Sequence, residues 1–300
     1  MPRRGPVIPP ETSSQMQLDD RNALQREMLN EFAGEYHRHG VLTADGYAPA
    51  LVDTCPSRDV CWDRCRDRAS RDANVHGLPG DDGSIFFPWI GMHYRRGGVC
   101  VAGWNLNHRG KDWFPLTAEH VIARASRAEL DVGKRKVWGS LFAYRSMSAA
   151  AAAHDAVRGA TPVVNRRPQE LAAYFDDIAR VQVVKCAPLG DRSNPSDAMN
   201  VECPPRFLLA ELQILRPRVL IVFGGAAREG VLSALRTIDK AEPNWSHPTR
   251  SGYGRRESQV SWGPLDVLGM WHPTYARWPH ALTALIDDLT ARPLDRTRRA

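Results

Sequence analysis

Lysine is scarce in this chain. Of 40 basic residues only Lys111, Lys134, Lys136, Lys185 and Lys240 are lysines, and the remainder are arginines. Long apolar runs are missing too. No stretch of about 18 apolar residues occurs, so a membrane-spanning helix is not expected. The basic opening MPRRGPVIPPETSS has no apolar segment behind it, so a secretory leader is not expected either, and the cytoplasm is the expected compartment. Six cysteines in such a compartment do not make a disulfide framework. What remains is an ordinary globular composition: 300 residues, 43% hydrophobic and 25% charged, with a mean hydropathy of −0.41. A chain of this length forms one large domain or two ordinary ones and buries about three quarters of its unfolded surface. The net charge is +6 and the isoelectric point about 9.1. Arginine forks grip phosphate bidentately, which suits nucleic acid, but the same charge also describes a solvated, arginine-biased surface.

The organisation follows from apolar periodicity. Residues 1–14 read as a disordered lead-in, and Gln17–His37 as a helix with Leu24, Met28, Leu29 and Phe32 at three- and four-residue steps. Apolar segments at 99–102, 181–186, 218–223 and 265–270 read as strands. Helical patterns lie between them, at 117–126, 168–179, FLLAELQIL and AAREGVLSALRTI, and HALTALIDDLTAR closes the chain. The alanine-rich stretch 146–162 is either a helix or a compliant connection, and 241–262 an excursion that suits a hairpin. Strands alternating with helices predict an α/β fold: three layers, α/β/α, around a central, mainly parallel four-stranded sheet. Ligands of such sheets bind beyond the C-terminal strand ends. Those ends carry Asn105, Cys186 with its loop, Gly224-Gly225, and His272.

Chemistry concentrates in a few places. Cys55, Cys61 and Cys65 fall within eleven residues, and Cys186 and Cys203 lie seventeen apart. Clustered thiols in a polar segment suggest metal ligands, and thiolates suit an iron–sulfur cluster or zinc equally. Cys100, inside an apolar strand, reads as packing. A lone histidine near a strand end is usually structural. His272, followed by Pro-Thr-Tyr-Ala-Arg277 at the sheet rim, is a catalytic candidate.

The stretch VVKCAPLGDRSNPSDAMNVECPPRFLLAELQILRPRVLIVFGGAA resembles the middle of the iron–sulfur branches of the uracil-DNA glycosylases. A strand ends in Cys186, a proline-rich loop follows, and Cys203 opens a helix. Arg216-Pro217 and the strand Val219–Phe223 come next. His272-Pro-Thr-Tyr-Ala-Arg277 is similar to the family's late His-Pro-Ser loop, and Gly103-Trp104-Asn105 more distantly to its early glycine-rich motif, with Leu106 where proline is usual. The resemblance covers about residues 181–228 and 265–280, is looser over 55–126, and is absent before residue 50.

The resemblance implies the following roles. Cys61, Cys65, Cys186 and Cys203 would hold a 4Fe-4S cluster, with zinc the less favoured occupant and Cys55 a substitute for Cys61 or Cys65. His272 would donate to the departing base, whose carbonyl gains charge as the glycosidic bond breaks. Asn105 would orient the attacking water. Gln182 stands where uracil-specific relatives carry asparagine and would read the flipped base's edge, with Gly103 as a further base-binding residue and Phe114 as stacking platform. Tyr275, Arg277, Lys185 and Arg192 would meet DNA.

The implied protein is a monomeric hydrolase of DNA carrying a damaged or deaminated base, with no membrane partner. It would be monofunctional, since Lys185 is the one lysine in the matching motifs. The expected organisation is an N-terminal extension at 1–50, a glycosylase-like domain at 51–290 and a basic tail at 291–300. The alternative is a non-catalytic iron–sulfur DNA-binding paralogue.

Overall fold

The structure, a computed structural model, describes residues 13–39, 57, 84–85, 88–103, 141–187, 195, 197–238, 251–273 and 276–294. In chain order its elements are helix α1 (Ser13–Arg38), strands β1 (Ser84–Ile85), β2 (Trp89–Ile90) and β3 (Val99–Gly103), and helices α2 (Leu141–Arg158) and α3 (Pro168–Phe175). Strands β4 (Ile178–Gln182) and β5 (Cys186–Ala187) follow, then helices α4 (Asp197–Cys203) and α5 (Leu209–Leu215) on either side of a π turn. Strand β6 (Val219–Phe223), helix α6 (Gly225–Leu235), strands β7 (Tyr253–Val260) and β8 (Gly263–Met270) and helix α7 (Trp278–Ala291) complete the described chain.

The sheet is six-stranded and mixed, in the order β2-β4-β3-β6-β8-β7, which corrects the expectation of a four-stranded sheet. Its centre, β4-β3-β6-β8, is parallel, and both edge strands run antiparallel to their neighbours. The edges left weak signals. β2 is two residues long, and β7 (YGRRESQV) carries charge on an edge strand, where it blocks pairing with another chain. β7 and β8 form a two-residue hairpin across Ser261-Trp262. β4 lies at 178–182 rather than 181–186 because Val183 and Val184, although buried, come after the strand. The Val183 N–H donates to the Gly103 carbonyl at 2.9 Å as the chain leaves the sheet.

Alternating side chains divide the interior in two. Cys100, Ala102, Val181, Leu220, Val222 and Val267 face one core, shared with α1, α4, α5 and α6. Val99, Val101, Ile178, Ile221, Leu268 and Met270 face the other, shared with α2, α3 and α7. The alanine-rich segment resolves as helix. Ala149–Ala153 are fully buried, combining the best helix former with a side chain small enough for close approach to the sheet.

Helix α1 was expected to belong to an extension, yet it is built into the first core through Met28, Leu29, Phe32 and Tyr36. Tyr36 Oη donates to Glu211 Oε1, and Lys185 Nζ donates to Glu211 Oε2, so three buried polar side chains from distant parts of the chain converge. Burial, then the neighbouring Glu211, pushes the Tyr36 phenol well above its ordinary range.

The helical run 197–215 changes register at Pro204-Pro205. Two consecutive prolines remove two backbone donors, and the Leu209 N–H reaches the Pro204 carbonyl, five residues back. Cys203 therefore ends α4 at this joint, where the sequence reading had it opening a helix.

Candidate active site

Parallel strands with helices on both faces bring their C-terminal ends to one rim. Gly103 ends β3, Gln182 ends β4, Gly224 follows β6 and His272 follows β8. The four strands are adjacent, so residues far apart in sequence line one edge of the sheet.

Gln182 and Gly103 stand opposite each other in the β3–β4 ladder. A Cβ at position 103 would lie 2.4 Å from Gln182 Oε1 and 2.9 Å from Nε2. The amide therefore lies over the glycine, and only glycine leaves room for it. Gln182 is buried, and its Oε1 has no hydrogen-bond partner among the described residues. A buried acceptor without a donor is costly and uncommon, and at a functional rim it is available to a ligand.

His272 is reached directly from β8. The Gly224 N–H donates to the Met270 carbonyl at 2.9 Å, fixing the chain just before it. Arg145, from α2, donates to the Pro273 carbonyl at 2.6 Å, fixing it just after. The imidazole packs against Gly224, where a Cβ would stand 3.9 Å from His272 Cβ and Cδ2. Gly224 has φ of 90°, a conformation that suits glycine and lets the chain turn sharply from β6 into α6. Burial lowers the His272 pKa from its ordinary value, which favours the neutral ring at pH 7, a donor of one N–H.

Arg277 is exposed, with its guanidinium 5.9 Å from the centre of the Trp271 ring. Lys185 requires a correction. Expected at a phosphate, it is fully buried and paired with Glu211, and so does not face solvent. Its position after Val181–Val184 allowed either reading. The missing signal was its partner, the single acid of the mostly apolar helical stretch FLLAELQIL.

Of the four predicted metal ligands, Cys203 is the one whose side chain is described, and it is buried beside Tyr36. Cys186 lies in β5, paired with Ile85 of β1. Cys61 and Cys65 fall outside the described residues, as do Asn105, Phe114, Arg192 and Tyr275. Ser57 is described, and it comes from the same thiol-rich segment as Cys55, Cys61 and Cys65. Ser57 Oγ donates to Glu202 Oε2 at 3.1 Å, and Arg206 Nη2 lies 3.3 Å from the same hydroxyl. Glu202 precedes Cys203 directly, so Ser57 is held beside the end of α4. Four cysteine thiolates are a usual ligand set for an iron–sulfur cluster; among the described residues no group of three or more possible metal ligands stands together.

The strands and helices define an α/β fold whose central C-terminal strand ends meet along one rim. Residues 143–290 match the family model described as Uracil DNA glycosylase superfamily, and this part of the chain is a domain of that superfamily. The matched span holds β4, β6 and β8 and includes Gln182, Gly224 and His272, whereas β3 and the segment 55–65 lie before it.

Proposed function

We propose that this protein is a monofunctional DNA N-glycosylase that removes uracil or a related deaminated base, and that it belongs to the iron–sulfur branch of its superfamily. The observation that carries the reading is the alignment of Gln182, Gly103 and His272 along one rim of adjacent parallel strands. In this reading the target base leaves the helix stack and enters the rim. The Gln182 amide, held over Gly103, offers its unpaired oxygen to a donor on the base edge. The neutral His272 ring donates to the base carbonyl that gains charge as the C–N bond breaks. Asn105 would hold the attacking water and Phe114 would stack on the base, with Tyr275 and Arg277 on the DNA side.

Incubation of excess protein with a single-stranded oligonucleotide containing uracil should release the free base. Tight DNA binding with no base release would instead favour the non-catalytic paralogue.

The cluster has its own test. Protein purified without oxygen should be brown, absorbing broadly near roughly 400 nm, as thiolate-ligated clusters do. Cys203→Ser should bleach it and lower its thermal stability. A colourless protein with stoichiometric zinc would overturn the iron–sulfur assignment.

Gln182 governs which base is taken. A reader that offers one donor and one acceptor penalises a base with the reversed pattern, because buried polar groups are left unpaired. Compared with asparagine, the extra methylene carries the amide about 1 Å further, so altered selectivity is expected, towards hypoxanthine or xanthine. Gln182→Asn should shift preference towards uracil, and Gln182→Ala should weaken discrimination. Gly103→Ala should mimic Gln182→Ala, since its methyl would occupy the place of the amide. A panel of single-lesion oligonucleotides measures this. Four identical base profiles would remove Gln182 from the pocket.

A further inference from the structure

A proline follows His272, and it leaves one soft joint in the turn. The ring of Pro273 fixes its own φ and confines the residue before it to extended backbone. The torsion that remains is ψ of Pro273, which swings the Pro273 carbonyl. Arg145 Nη1 donates to that carbonyl at 2.6 Å, across 128 positions of chain. Hydrogen bonds from a charged donor are roughly twice as strong as neutral ones. Pro273 is buried and Arg145 half-buried.

Arg145 stands near the start of α2, and this helix is a firm support. Ala149–Ala153 are fully buried in the core beneath the sheet. Tyr144 Oη donates to the Arg166 carbonyl at 2.9 Å, and Ser148 Oγ to the Tyr144 carbonyl at 2.9 Å. Two other arginines near this end of the sheet are placed differently. Arg277 lies over the Trp271 ring, and Arg228 of α6 has two buried nitrogens, Nε and Nη1, without a hydrogen-bond partner among the described residues. Burial lowers the His272 pKa, so the ring's neutrality depends on how deeply it is held. A looser turn would move the donor and hydrate the ring together.

We propose that Arg145 is a positioning residue for base release: by holding the Pro273 carbonyl, it keeps the His272 ring against Gly224 and aimed at the departing base. The proposal rests on the glycosylase reading and extends it. A displacement of about 1 Å at a reacting group can cost roughly a hundredfold in rate, so one bond to a backbone carbonyl is enough to matter.

The test uses the full-length protein, Arg145→Met and Arg145→Lys. Methionine and arginine are comparable helix formers, so α2 should keep its length. With a uracil oligonucleotide, Arg145→Met should slow single-turnover base release roughly ten- to a hundredfold and leave the half-saturating enzyme concentration unchanged. Arg145→Lys keeps a charged donor and should recover most of the rate. In the His272→Ala background Arg145→Met should cost little more, because both changes act on one group. A merely structural loss would slow that background as well.

A second arm needs no substrate. Carbethoxylation of His272 by diethyl pyrocarbonate, followed by peptide mass spectrometry, should be faster in Arg145→Met and near the wild-type rate in Arg145→Lys. The exposed His280 serves as internal reference. If Arg145→Met does not fold, Arg145→Gln, shorter and neutral, is judged by the same readouts. Unchanged His272 reactivity would overturn the proposal, as would slowing that adds in full to that of His272→Ala. If the wild type releases no base while Arg145→Met still exposes His272, the glycosylase reading fails and the hold of Arg145 on His272 remains.

Discussion

Replacing Lys185 with alanine is expected to destabilise the protein by about 3–5 kcal/mol, the usual consequence of leaving one charge of a buried pair without its partner. Lys185 is fully buried and donates to Glu211, which also accepts from Tyr36. Burial raises the Glu211 pKa and the Lys185 charge is the main influence opposing that rise, so removing the lysine leaves only the Tyr36 hydrogen bond against burial. The double variant Lys185→Met with Glu211→Gln keeps an acceptor for Tyr36 and removes both charges. It should regain most of the lost stability in urea unfolding. Losses that simply add would show that the two residues are not coupled. The same variants separate a structural lysine from a phosphate contact. A phosphate contact would lose DNA affinity and salt dependence while keeping its stability.

His272→Ala should leave folding and DNA affinity nearly intact and slow single-turnover base release by roughly 10²–10³, or about 3–4 kcal/mol, as does loss of one donor to a developing oxyanion. Wild-type rates in this variant would leave His272 a structural residue. The pH dependence carries a sign of its own. Burial lowers the His272 pKa, so the unfolded chain takes up this proton more readily than the folded one. The stability gained by keeping the ring neutral is present above the ordinary histidine value of about 6.5 and is lost as pH falls below it. His272→Asn should remove that part of the acid sensitivity in urea titrations at successive pH values.

The central strands were legible because burial on both faces leaves uninterrupted apolar runs such as Val219–Phe223. The same signal misplaced β4. Burial continues through Val183 and Val184 after the ladder ends, and apolar content reports burial rather than pairing. The rim was legible as a list of strand ends. The fit of Gln182 over Gly103 was not, because it depends on a register between two strands distant in sequence. Arg228 left no mark at all. It is one arginine among many, and only its two buried nitrogens without a hydrogen-bond partner among the described residues distinguish it. The Tyr36–Glu211 contact likewise has no local pattern, although an acid within FLLAELQIL was the clue available.

That contact joins residues 175 positions apart. On the ribosome, helix α1 leaves the exit tunnel well before the segment carrying Lys185 and Glu211 has been made. Its apolar face, with Met28, Leu29 and Phe32, then has no native surface to cover it. Because loop closure precedes the reward of such distant pairings, docking is slow compared with helix formation. A helix made early is thus among the last elements to reach its place, and in the interval its apolar stripe is open to chaperones.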